Sequence, residues 1–134
     1  MINDLITHVE WERAIGLDIN FQDLPFLPKR IFYMKDIPLG VVRGNHAHKK
    51  LQEVLFCIQG KFEISLLNPI LPFPDRRTHI LSEGDRIHIP KLTWISVSSL
   101  QEGGVLLSLC SHEYDRTDYI EDLGEYVRSM GKAG

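Results

Sequence analysis

The sequence predicts an all-β fold, one small barrel or jelly roll over residues 1–134 with a short helical or irregular tail. Three observations predict it. Apolar residues alternate with period two in short runs, and Gly, Pro, Asn and Asp punctuate those runs at close spacing. No long stretch of helical periodicity interrupts the series. A length of 134 residues suits one domain with a real core, and 43% hydrophobic with 25% charged residues is an ordinary globular balance.

Taken in order, Leu24-Pro25-Phe26-Leu27-Pro28 reads as a turn and Lys29 to Met34 as the first strand of the series. Leu51 to Ile58 follows. Lys61 to Leu66 alternates strictly, which puts Phe62, Ile64 and Leu66 on one face. The segment Asn68 to Arg77, with Pro69, Pro72 and Pro74, predicts an irregular connection. Thr78 to Leu81, Arg86 to Ile89 (ending at Pro90), Trp94 to Ser98 and Val105 to Leu109 complete the strands. In the tail, Ile120, Leu123, Tyr126 and Val127 recur at helical spacing within Tyr119 to Met130.

A formal net charge of −3 argues against an electrostatic DNA or RNA binder, while a few arginines in one pocket still suit a small anion. No apolar run approaches the roughly 20 residues a membrane helix needs. Met1 to Arg13 carries Asp4, Glu10 and Glu12 and lacks a signal-peptide pattern. Cys57 and Cys110 sit in apolar runs and read as reduced, buried thiols. A cytoplasmic location is expected.

The chemistry concentrates in the first half. Gly40 is followed after five residues by His46-x-His48, after four more by Glu53, and after six more by Gly60. On a strand, His-x-His points two imidazoles to one face, where they can bind a metal or move protons near neutral pH. This spacing resembles the first motif of the cupin superfamily. Gly84, five residues and Pro90 resemble half of the second motif, whose histidine is replaced in the Leu92 to Ile95 region. His46, His48 and Glu53 therefore lack a fourth protein ligand from that strand. Three ligands and a water suffice for some catalytic zinc sites; the reading adopted is that the histidines work without metal.

Arg43-Gly44-Asn45-His46-Ala47-His48-Lys49-Lys50 resembles the signature of the nucleotide-sugar 3,4-ketoisomerase cupins. Lys29 to Tyr33, Pro90 with Trp94, and Tyr114-Asp115-Arg116-Thr117-Asp118-Tyr119-Ile120 resemble three further segments of that family. There are departures. Phe32-Tyr33 stands where the family often has Tyr-Tyr, and Glu53 where it commonly has Gln. Arg116 and Glu121 reverse a family charge pair, which suggests that the two positions touch each other or meet across a dimer interface.

The resemblance implies a cupin barrel that moves the carbonyl of a dTDP-linked 4-keto-6-deoxyhexose from C4 to C3 through an enediol, in deoxysugar and glycan biosynthesis. His46, His48 and Tyr33 are the expected catalytic residues, and Arg43, Arg30 and Trp94 the expected substrate contacts. No redox cofactor is needed, and no dinucleotide fingerprint is present. A nucleotide-diphosphate sugar and a second copy of the chain are the expected partners. An epimerase, a non-catalytic sugar-nucleotide binder and a metal-dependent cupin are the competing readings. His79 and His88 read as structural, and Lys49 and Lys50 as a solvated turn.

Overall fold

The computed structural model describes residues 8–11, 14–68 and 75–133. Eleven strands are assigned among them: β1 (His8–Trp11), β2 (Ala14–Leu17), β3 (Arg30–Lys35), β4 (Val42–His48), β5 (Glu53–Gln59), β6 (Lys61–Asn68), β7 (Asp75–Ser82), β8 (Arg86–Ile89), β9 (Trp94–Ser99), β10 (Val105–Cys110) and β11 (Tyr119–Ile120). One α-helix, α1 (Leu123–Ala133), closes the chain. Every pairing is antiparallel. A four-stranded sheet runs β3-β10-β5-β8 and a five-stranded sheet runs β11-β4-β9-β6-β7. Strands β1 and β2 form a separate hairpin that the alternation pattern did not reveal.

The two large sheets face each other. Phe62, Ile64 and Leu66 point inward as the alternation requires, and meet Leu55, Leu81, Ile87, Ile95, Val97 and Leu106. Such burial stabilises by about 1.5–3 kcal/mol per large apolar side chain. The outer face of the five-stranded sheet carries Ala47 and Trp94, and α1 covers them with Tyr126 and Met130. The Tyr126 hydroxyl reaches the carbonyls of Leu92 at 2.7 Å and Leu67 at 3.1 Å, anchoring the helix to two strand ends.

Two expectations change in detail. The tail is both strand and helix, since Tyr119 and Ile120 pair with His48 and Ala47 before α1 begins. The connection expected over Asn68 to Arg77 is shorter than the prolines suggested. Pairing persists to Asn68↔Asp75, with Arg76 and Arg77 opposite Leu67 and Leu66, because ladder hydrogen bonds hold both strand ends. Pro69, Pro72 and Pro74 lie outside the described residues.

Candidate active site

A cavity of about 520 Å³ opens between the sheets. Strand β3 lends it Arg30, Phe32 and Met34, whose period-two spacing sends Ile31 and Tyr33 to the opposite face. Strand β5 contributes Glu53 and Leu55, and β9 contributes Ile95 and Val97. Tyr119 closes one side from β11.

Strand β4 supplies Arg43, His46 and His48, and it needs a defect to do so. An unbroken strand would send residues 43 and 46 to opposite faces. The register with β9 shifts between Gly44 and His46, so Arg43 lies opposite Val97 and His46 opposite Ile95, both facing the cavity. Asn45 is the extra residue of this bulge, at φ 54°, after Gly44 at φ 83°. A Cβ on Gly44 would lie 3.0 Å from the Ile95 carbonyl oxygen. The Asn45 side chain accepts the Ser96 hydroxyl at 2.9 Å, tying the bulge to β9.

The imidazoles sit with ring centroids 4.8 Å apart, edge to face. His46 Nδ1 lies 3.0 Å from the Gly44 carbonyl oxygen. A carbonyl only accepts, so Nδ1 carries the hydrogen and Nε2 is left as the free base. His48 Nδ1 lies 3.1 Å from Asp118 Oδ2, which imposes the same tautomer. Asp118 is itself fixed by the backbone N–H groups of Lys50 at 2.8 Å and Leu51 at 3.2 Å. Burial and the neighbouring His46 lower the His48 pKa to about 4, against the upward pull of Asp118. His48 is therefore a neutral base at pH 7.

Around this pair, Tyr119 packs its ring 4.3 Å from His48 and 5.0 Å from His46. Burial raises its phenol pKa, and a hydrogen bond from Arg30 opposes that. The Arg30 guanidinium lies 4.7 Å from the Phe32 ring centre and 5.3 Å from that of Tyr114. Glu53, 6% exposed, accepts the Ser108 hydroxyl at 2.7 Å. Two arginines, two imidazoles, a phenol and a carboxyl thus converge on one apolar-walled cavity, which suits an anionic ligand that must exchange protons.

Of the six expected residues, Arg30, Arg43, His46 and His48 line the cavity. Tyr33 does not. It is 61% exposed on the outer face of the four-stranded sheet, and strand alternation excludes it once Phe32 faces in. Trp94 does not either. It is 5% exposed behind β9, 5.5 Å from the Tyr126 ring, because Ile95 takes the inward position. His88 is the structural histidine expected, with Nε2 2.9 Å from Gln52 Oε1. No ion pair joins Arg116 to Glu121 among the described residues, where His48–Asp118 is the pair found.

Sequence reasoning gave no role to Asp118 or Tyr119. Their signal was the Asp-Tyr step of the C-terminal signature, which returns to β4 through seventy residues of chain that no periodicity spans. One ligand atom each from His46, His48 and Glu53 lies within 4.8 Å of the others, a spacing a divalent ion could bridge. The β9 side chains facing them are Ile95 and Val97, so that strand offers no further ligand.

A family model described as FdtA, WxcM-like, C-terminal, matches residues 7–131. A TDP-4-oxo-6-deoxy-α-D-glucose-3,4-oxoisomerase from Aneurinibacillus thermoaerophilus is 28% identical over 111 residues, 83% of this chain and 78% of that protein. The crystal structure of QdtA, a sugar 3,4-ketoisomerase from Thermoanaerobacterium thermosaccharolyticum in complex with TDP, is 31% identical with a TM-score of 0.85. That match covers 96% of this chain and 92% of QdtA. The WlaRB TDP-quinovose 3,4-ketoisomerase from Campylobacter jejuni is 28% identical with a TM-score of 0.82, covering 96% of both chains.

Proposed function

The chain belongs to the FdtA family, WxcM-like C-terminal, and from that premise we propose that it is a sugar-nucleotide 3,4-ketoisomerase. Its substrate is a 4-keto-6-deoxyhexose carried on a nucleotide diphosphate, with TDP favoured by the relatives. The observation that carries the reading is the imidazole pair. Each Nδ1 is tied to a fixed acceptor and each Nε2 is left for the ligand, inside a cavity flanked by two arginines.

The C3 hydrogen is acidic because it adjoins the C4 ketone. His48, neutral and oriented by Asp118, removes it through Nε2 and returns it at C4. His46 carries the other proton from the C3 oxygen to the C4 oxygen. The hexose leaves with its carbonyl at C3, and no electrons are exchanged with a cofactor. Arg30 and Arg43 hold the diphosphate, their charges set against the anion. The phenol expected of Tyr33 is available instead from Tyr119, within ring contact of both histidines.

We also propose that two copies pair through the outer face of the four-stranded sheet. Ile31 and Tyr33 leave 61% of their surface exposed there. Arg86, 3% exposed on the same sheet, has Nε and Nη2 without acceptors within the chain. Buried guanidinium donors without acceptors are costly, so a facing copy that supplies acceptors would stabilise the pair.

Incubating the protein with TDP-4-keto-6-deoxyglucose in deuterated water tests the reaction. The expected result is carbon-bound deuterium and a 3-keto product by NMR. Deuterium uptake with inverted stereochemistry and an unmoved carbonyl would identify an epimerase. Binding of TDP without any exchange would leave a sugar-nucleotide binder.

A further inference from the structure

The two-histidine scheme leaves one acid of the pocket without a task. Glu53 lines the cavity from β5, with its Oε2 held by the Ser108 hydroxyl and a ligand oxygen within 4.8 Å of both imidazoles. The groups that face it are Arg30 from β3, His46 and His48 from β4, Cys110 from β10 and Tyr119 from β11. Its β8 neighbour is Ile89, which brings no charge. None of the basic groups forms an ion pair with it among the described residues. Burial raises its pKa, and the Ser108 hydrogen bond and the charges of His46 and Arg30 oppose that rise. Desolvation without a paired cation favours the uncharged form of a carboxyl group.

Resting on the ketoisomerase reading, we propose that Glu53 is a third catalytic residue, a neutral carboxylic acid that hydrogen-bonds to the sugar oxygen on which enediolate charge develops. As His48 takes the C3 proton, the C3–H electron pair becomes the C3–C4 double bond and the carbonyl pair moves onto the C4 oxygen. The Glu53 O–H points at that oxygen and keeps its own proton. When His48 returns the proton to C4 and His46 transfers the hydroxyl proton, Glu53 ends as it began. An uncharged carboxyl acting as donor in a dry pocket is an established device for enolising chemistry, because a preorganised donor is worth most where water is excluded.

Three variants and one spectrum test this. Glu53→Leu removes the donor at similar volume, and kcat should fall about 10²–10³-fold with KM changed only a few-fold. Glu53→Gln keeps an uncharged donor and should recover most of that loss. The unmodified protein should lose rate at alkaline pH as Glu53 ionises, and the Gln variant should lack that limb. An infrared difference spectrum of unmodified against Gln protein at pH 7 should contain a protonated carboxyl band. Glu53→Asp, which withdraws the same acid by one methylene, should resemble the Leu variant. If the Gln variant is as inactive as the Leu variant while its circular dichroism is native, Glu53 works as a carboxylate and the inference fails. It also fails if the Leu variant turns over normally or the carboxyl band is missing. Absence of any turnover or deuterium exchange by the unmodified protein would instead remove the ketoisomerase reading, and the donor role with it.

Discussion

His48 Nδ1 and Asp118 Oδ2 lie 3.1 Å apart, and the carboxylate that orients this imidazole is itself clamped by two backbone amides of the turn following His48. One side chain from the C-terminal segment therefore sets both the tautomer of the base and the path of the chain beside it. The remaining oxygen capacity of Asp118 is spent on Lys50 and Leu51, so the arrangement has little freedom to rotate.

Asp118→Asn should keep the barrel but weaken the base. An amide can turn its NH2 toward His48 and favour the wrong tautomer, leaving no lone pair on Nε2. We expect kcat to fall about 10²–10⁴-fold with a small change in KM, the range for a disabled acid–base group. A normal kcat in this variant would show that Asp118 only organises the turn.

The His48 shift predicts an unusual acid limb. With a pKa of about 4, the base stays unprotonated well below the 6.5 of a free imidazole, so kcat/KM should hold through pH 5.5 and fall nearer 4. Stability moves with the same group. Between pH 6.5 and 4 the unfolded chain binds a proton at this histidine that the native protein does not, so stability rises with pH across that window. The full shift amounts to roughly 2–3 kcal/mol lost by pH 4. Urea titrations of the unmodified protein and of His48→Asn, compared at pH 7 and pH 4.5, would reveal it as a smaller loss in the variant.

Gly44→Ala tests the bulge. The position has φ 83°, and a Cβ would press on the Ile95 carbonyl at 3.0 Å. Strain of about 1–3 kcal/mol is expected, together with reduced activity, since Arg43 and His46 share a face only through this defect. Thermal denaturation reads the first effect and turnover the second. An unchanged melting temperature would mean that the backbone there relaxes freely.

Tyr33→Asp should separate the proposed pair of subunits without touching the cavity. Sedimentation at micromolar concentration should show a dimer for the unmodified protein and a lighter species for the variant. A monomer in both would leave Arg86 without an external partner, and Arg86→Met should then be stabilising, because it removes a buried charge that nothing meets.

Local pattern made the barrel legible. Alternation in Lys61 to Leu66 and Arg86 to Ile89, with glycine and proline at the breaks, reports which residues face a core whatever that core contains. His46-x-His48 was legible for the same reason: two residues apart on a strand means one face. The same rule applied from Phe32 would have excluded Tyr33, whose side chain the structure turns outward.

What the sequence determined by itself was therefore everything of short range: strand content, the inward face of each strand, the paired imidazoles, and the neighbourhood of Arg30 and Arg43. Tertiary structure decided the rest. Only the bulge at Asn45 lets Arg43 and His46 face the same cavity, and a register shift is set by the partner strand β9 rather than by local alternation. Only the pairing of β11 with β4 brings Asp118 and Tyr119 to His48. Trp94 lies under α1 and outside the cavity because burial of that helix's apolar side claims it. Hydrophobic periodicity records the face on which a side chain lies. Which distant side chain shares that face depends on how the sheets close, and closure is a property of the whole chain.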